Sequence, residues 1–287
     1  MNTISTYSYR RKYALAHLAK LLRKKLIAEK ICKVDRTGLK YIDSPYGSQP
    51  STTVQTIAGT YTPAALTLTD DCLTVTDEFI VSEHIYDFEE TLTKFDVFKS
   101  RINELNSSAA TALDKWVVNE VCENANGTYT TPAGGFTTAA NVVPILSELL
   151  AKIVGYENDY SNPFLIVEST DLPGLIQAFG SAGFNTADNW LKNGYLTSQM
   201  SIDFYIVRPG TFADATTTTA SGTKTWTNLG HRAFGVKGIS TYAFPKGMKY
   251  EEKGVTGKTG KEVVVYGYAG FKAWVPTYDL LIDITLA

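Results

Sequence analysis

One helical repeat constrains this chain more than any other feature. From about Thr93 to Ala125, the residues Phe98, Ile102, Leu105, Ala109, Ala112, Trp116, Val117 and Val121 recur at helical spacing. Thr93 or Asp96 is placed to cap the start, and Asn126-Gly127 to end it. Roughly thirty residues at about 1.5 Å each give a helix of about 45 Å. That is longer than a small domain is wide, so the helix is expected to serve as a spine. The 287 residues supply enough chain for one large domain or two small ones with a full core.

Charge is unevenly spread along the chain. Residues 1–40 hold 11 Lys or Arg and two acids, Glu29 and Asp35, a local charge of +9, and the rest carries −11. Residues 41–93 contain no Lys or Arg and nine acids. Such a division predicts contacts between copies of the chain, or a polyanion near one end. Thr is about one residue in eight, and there are 17 Tyr, which leans the chain toward strands and interfaces. No stretch approaches the ~18 apolar residues of a membrane-spanning helix. The stretch Met1–Lys12 has no apolar run, so no secretory signal is expected. Cys32, Cys72 and Cys122 are odd in number and far apart, which fits a reducing compartment better than a disulfide framework or a zinc site.

Before the spine, Tyr9 to Cys32 reads as a basic helix with an apolar stripe at Leu15, Leu18, Leu22 and Leu26. It can be a solvated face packed on the body, a segment lying near nucleic acid, or an organelle presequence. Asp43 to Pro50 has turn chemistry and suits a linker. Residues 52–88 read as strands: Leu66, Leu68, Leu73 and Val75 alternate with Thr, with a turn expected at Thr69-Asp70-Asp71. A hairpin this poor in large apolar groups needs another surface to lie on.

After the spine, a second helix is expected over Ala139–Val154, and Phe164–Val167 reads as a buried strand. Asp171 can cap a short helix running through Phe179. Ser201–Val207 is another strand. Gly180–Gln199 and the Thr-rich stretch Thr211–Thr225 read as exposed loops. The end, from Ala233, is strand-rich with a Gly/Lys turn over Gly254–Lys261.

No convergent catalytic set is visible. Gly257-Lys258-Thr259 is like the end of a P-loop, but Glu252 stands where its first glycine belongs, and a Lys-rich hairpin turn is the better account. His17, His84 and His231 lack metal-ligand spacing. The acids Asp87, Glu89 and Glu90 fit a solvated or intersubunit face better than a cation site. No cofactor is expected, and the chain reads as one that binds or builds.

Three segments carry a resemblance. The first is the strand-to-spine passage Leu73-Thr-Val-Thr-Asp-Glu-Phe-Ile-Val81 with Ala109-Ala-Thr-Ala-Leu-Asp114-Lys-Trp-Val-Val118. The second is Phe164-Leu-Ile-Val-Glu-Ser-Thr-Asp-Leu-Pro-Gly-Leu175. The third is Val265-Tyr-Gly-Tyr-Ala-Gly-Phe-Lys-Ala-Trp-Val-Pro-Thr-Tyr-Asp-Leu-Leu-Ile282. In their order the sequence resembles the HK97-fold major capsid proteins of tailed double-stranded DNA phages. The resemblance implies an α+β HK97-like capsid fold: an N-terminal helical arm (1–48), an extended β-hairpin loop (49–90), a spine helix and P domain (91–138), an α/β A domain (139–240) and C-terminal strands returning to the P domain (241–287). It implies a shell of hexamers and pentamers in a virion, packaged DNA held by non-specific charge, and portal and scaffold partners, with no membrane. Some family members join subunits through a Lys of the extended loop, and that loop has no Lys here.

Candidate inner-face or intersubunit bases are Arg10, Arg11, Lys12, Lys20, Arg23, Lys24 and Lys25. Candidate intersubunit acids on the hairpin are Asp70, Asp71, Asp77 and Glu78. An encapsulin-type nanocompartment shell, and a nucleic-acid-binding protein using the basic helix, are the alternatives.

Overall fold

The computed structural model describes residues 27–47, 67–86, 97–154, 162–181, 191–192, 195–199, 201–219, 222–243, 249–254, 259–275 and 277–287. The spine is a helix over Val97–Glu123, about 40 Å long at 1.5 Å per residue. The proposed caps Thr93 and Asp96 lie outside the described residues. Its buried stripe holds Leu105, Ala109, Leu113, Trp116, Val117, Val118, Val121 and Cys122. Ala112, expected on that stripe, faces solvent, and Leu113 takes the inward position. The helix ends three residues ahead of Asn126-Gly127. Gly127 opens a strand instead of capping the helix, and a Cβ there would sit 2.8 Å from Ile282 and 3.0 Å from the Leu281 carbonyl.

The spine helix packs across two sheets. The larger has seven strands in the order Gly127–Thr130, Leu281–Thr285, His231–Val236, Pro163–Glu168, Ile202–Val207, Tyr195–Gln199, Leu191–Lys192. Pro163–Glu168 is central, parallel to Ile202–Val207 and antiparallel to His231–Val236. Five of its six residues are buried, which explains why the sequence reads there as an unbroken apolar run. The helix Ala139–Val154 forms over the predicted residues. It buries Val142, Ile145, Leu146, Leu149 and Ile153, one stripe at helical spacing, and turns Pro144 to solvent. With the helix Leu172–Ser181 it joins the sheet in one continuous core.

The smaller sheet has five strands. Lys33–Asp35 runs parallel to Ser240–Ala243, which pairs with the 13-residue strand Lys261–Ala273. That long strand also pairs with Asp77–Ile85 and with Lys249–Gly254. Of the P-loop-like triplet Gly257 and Lys258 lie outside the described residues, and the element that follows Thr259 is the strand Lys261–Ala273 and not a helix.

Three expectations require correction. The turn at Thr69-Asp70-Asp71 does not reverse the chain. Leu68–Thr69 pairs with Tyr46–Gly47, and Cys72–Thr74 pairs with Tyr41–Asp43. Both short strands therefore belong to one returning leg, and the supposed linker Asp43–Pro50 supplies part of the outgoing leg. Ser44-Pro45 and Asp70-Asp71 lie opposite each other, so their turn chemistry breaks the ribbon into two paired pieces.

The second correction concerns Gly180–Gln199, which contributes the edge strands Leu191–Lys192 and Tyr195–Gln199. The third concerns the Thr-rich loop, which is a two-stranded ribbon, Asp214–Thr219 against Gly222–Thr227. β-Branched Thr favours strands, and a monotonous Thr run hides the alternation that would reveal them.

Candidate assembly surface

The surface that matters begins where the first ribbon leaves the small sheet. Asp71 is buried there at 6% exposure. Lys272 donates to its carboxylate at 2.7 Å, and the Val275 N–H donates to the other oxygen at 3.0 Å. The Ser44 N–H donates to the Asp71 carbonyl at 2.7 Å, the Val75 N–H to the Lys40 carbonyl, and the Thr76 N–H to the Ala269 carbonyl. Gly270 lets the two backbones cross, since a Cβ there would lie 2.5 Å from the Thr74 carbonyl. The ribbon's direction is therefore set by its own subunit. Leu39 and Tyr41 stand exposed at the root of the ribbon, and Leu68 beyond the latch is 65% exposed. Cys72 is exposed as well, and its hydrogen bond to Asp43 raises the thiol pKa.

The four acids expected to meet neighbours divide evenly. Asp71 and Asp77 are buried within the subunit, whereas Asp70 and Glu78 are exposed. Glu78 opposes Tyr268 across the strands, and its charge and hydrogen bond raise the Tyr268 pKa. The seven candidate bases Arg10, Arg11, Lys12, Lys20, Arg23, Lys24 and Lys25 lie outside the described residues, as does most of the Tyr9–Cys32 helix.

What the structure describes of that segment is its root. Residues Ala28–Ile31 form one helical turn whose first N–H donates to Asp114 of the spine at 2.8 Å. A carboxylate borrowed from another helix thus takes the place of a local cap. The Cys32 thiol lies 3.1 Å from the Ser240 hydroxyl, and burial pushes its pKa up to about 12, which makes it unreactive. The Gly238 N–H donates to the Ile31 carbonyl at 2.8 Å. Lys30 and Lys237 each place an ammonium 5.4 Å from the centre of the Tyr205 ring.

The small sheet has two unlike faces. Toward the spine, Ile85, Val263 and Val265 pack with Leu105 and Ala109. Phe79 and Phe271 meet Trp116 edge-on at 5.6 and 6.3 Å. On the other face Ile80 is 58% exposed beside Tyr266, its cross-strand partner, and Tyr268. Tyr266 donates to Glu251 at 3.0 Å, and Lys253 pairs with the same carboxylate at 3.1 Å; these bonds lower the Glu251 pKa, the Lys253 bond most. Tyr250 and Lys261 do likewise for Glu252.

Buried polar groups brace the large sheet. Asp171 begins the helix Leu172–Ser181, but its carboxylate engages the Arg232 guanidinium and accepts the Glu168 N–H. Glu168 reaches Arg232 at 3.4 Å and accepts the Gly210 N–H at 2.9 Å. His231 lies 2.8 Å from Asp283, and His84 faces the Thr259 carbonyl in the other sheet. Among the described residues no group of three or more His, Cys, Asp or Glu side chains converges on a metal position. None of the described helices is long and apolar enough to cross a membrane.

A spine helix crossing two sheets, a ribbon rooted on one of them and an α/β unit built on the other make up the α+β HK97-like capsid fold. Solved structures that share it include phage capsids. The chain is similar to the capsid structure of the cyanophage P-SCSP1u, with a TM-score of 0.72 and 15% identity over 93% of this chain and 89% of that one. It is similar to the acid-stable capsid of Helicobacter pylori bacteriophage KHP30, with a TM-score of 0.66 and 12% identity over 92% and 91%. The capsid of a native GTA particle gives 0.63 and 14% identity over 93% and 91%. No family model and no curated protein matches the sequence.

Proposed function

We propose that this chain is a major capsid protein, the structural subunit of an icosahedral phage head enclosing double-stranded DNA. The observation that supports this most is a shared fold extending over almost the whole of both chains, 93% and 89% for the cyanophage capsid. The body agrees with such a role. A ribbon that exposes Tyr41 and Leu68 leaves it from a latched root, and one sheet face carries Ile80 and Tyr268 exposed. Subunits of a closed shell complete such surfaces on one another. The role is structural, without catalysis or cofactor, and its place is the virion.

In this reading hexamers and pentamers of the chain form the shell, and portal and scaffold proteins complete the head. Arg10, Arg11, Lys12, Lys20, Arg23, Lys24 and Lys25 face inward and neutralise DNA phosphates or the acids of a neighbour. Asp70 and Glu78 are the exposed acids available for contact between subunits. Neither the encapsulin reading nor the nucleic-acid-binding reading has an observation in its favour.

The test is a negative-stain image and a particle mass of the purified protein. Uniform polyhedral shells tens of nanometres wide are expected, and a monomer of 31.5 kDa persisting under all conditions would reject the proposal. DNA association of the assembled protein should weaken steeply with salt, as phosphate neutralisation does.

A further inference from the structure

The second ribbon, Asp214–Thr219 with Gly222–Thr227, has a strong root and stands as a two-stranded sheet of its own among the described residues. Neither strand pairs with another described strand of the chain. Its base is fixed to the C-terminal end of the spine helix. The Trp226 indole N–H donates to Glu120 at 2.9 Å, and Asn228 donates to the Asn119 carbonyl at 3.2 Å. The Thr227 N–H donates to Glu123, and the Leu229 N–H to Asp214 at 2.9 Å. Trp226, Asn119, Glu120 and Asn228 are all buried. The body holds the ribbon in place, and no other described strand pairs with either of its edges.

Exposed edges invite pairing, and proteins usually guard them with charge. The edge strand Lys249–Gly254 of the small sheet is guarded in this way by Lys249, Glu251, Glu252 and Lys253. The ribbon is not: from 214 to 227 its charges are Asp214 and Lys224 alone. An isolated two-stranded ribbon is marginal in water. Its two edges are also complementary. The strands are antiparallel, so rotation about an axis along the ribbon brings the Asp214–Thr219 edge of one copy beside the Gly222–Thr227 edge of the next, again antiparallel. Repeating that rotation closes a ring with no edge left over.

We infer that this ribbon pairs edge to edge with the same ribbon of neighbouring copies, forming a closed β-ring around a rotation axis of the assembly. The inference rests on the shell reading and adds a specific contact to it. Within one ribbon, alternate amides point outward. In dissociated subunits the outward amides of Asp214–Thr219 and Gly222–Thr227 exchange fast and the inward ones slowly. In assembled particles the ring slows the outward set by about ten-fold or more, and the alternation disappears.

Residue-resolved hydrogen exchange on particles and on dissociated subunits decides the matter. Particles whose ribbon keeps the alternating pattern of free subunits overturn the ring and leave the shell reading standing. Failure to form any particle overturns both.

Discussion

The two sheets of this protein are finished to different degrees. The central strand of the seven-stranded sheet is buried on both faces, and Phe164, Leu165, Ile166, Phe234 and Ile282 belong to one continuous core with two helices. The five-stranded sheet buries one face against the spine, where the local cluster is Ile85, Leu105, Ala109, Val263 and Val265. Its other face carries Ile80 and tyrosines in the open. The spine helix joins a half that is complete to a half that is not. In a building block the first half supplies the stability and the second the valence. Apolar area left uncovered in the subunit becomes driving force when copies meet.

The sharpest way to break this comparison is to damage the complete half. Phe234 is fully buried between Pro163–Glu168 and Leu281–Thr285, so Phe234→Ala removes a ring and leaves a cavity. A loss of about 3–5 kcal/mol is expected. Urea unfolding of the dissociated subunit should place the midpoint far below wild type, and a loss under about 1 kcal/mol would mean the core is not where stability resides.

The ribbon latch comes next. Asp71→Ala strands the Lys272 ammonium, whose side chain is 29% exposed, and leaves the Val275 N–H without this acceptor. The loss should be about 2 kcal/mol, softened by the partial exposure of Lys272. The double variant Asp71→Ala with Lys272→Met should recover part of it, because the stranded charge is gone. A double-mutant cycle on urea midpoints measures the coupling, and strictly additive losses would dissolve the latch.

Asp114 sits lower on the scale. Asp114→Ala leaves the Ala28 N–H without the carboxylate that caps it. About 1 kcal/mol is expected, the ordinary worth of a helix cap. The local readout is faster hydrogen exchange over residues 28–35, with the large sheet unchanged.

These residues also mark where reading the sequence stops. Elements whose signal is local were legible. The helix Ala139–Val154 and the strand around Phe164–Val167 follow from apolar spacing within a dozen residues, and the spine follows from one long repeat. Polar residues with distant partners were not. Asp114, Asn119 and Glu120 interrupt the spine's stripe as if solvated, yet their partners Ala28, Asn228 and Trp226 are 86, 109 and 106 positions away. Asp71 looked like a turn acid, and its partner Val275 lies 204 positions off. Asp114 lies within the Ala-rich segment Ala109–Val118 that carries the resemblance, but its capping role is set by the fold. Strand pairing failed for the same reason. The ribbon's outgoing leg was hidden in Asp43–Pro50, because register between strands is a non-local property.

The smallest effect on the subunit is expected at the open face, and it bears most directly on the comparison. Ile80 is 58% exposed, and Tyr266 is its cross-strand partner. Ile80→Glu should therefore change subunit stability by no more than about 1 kcal/mol, the usual range of a cross-strand pair. Placed in a contact between copies, the same carboxylate would have to be buried or would hold the partner away, and either outcome opposes association. Wild-type unfolding midpoints combined with a several-fold loss of particles in sedimentation would assign this face to assembly. If particles form at the wild-type yield, the face stays open in the shell, and the valence of the incomplete half lies elsewhere, with the ribbon the first candidate among the described residues.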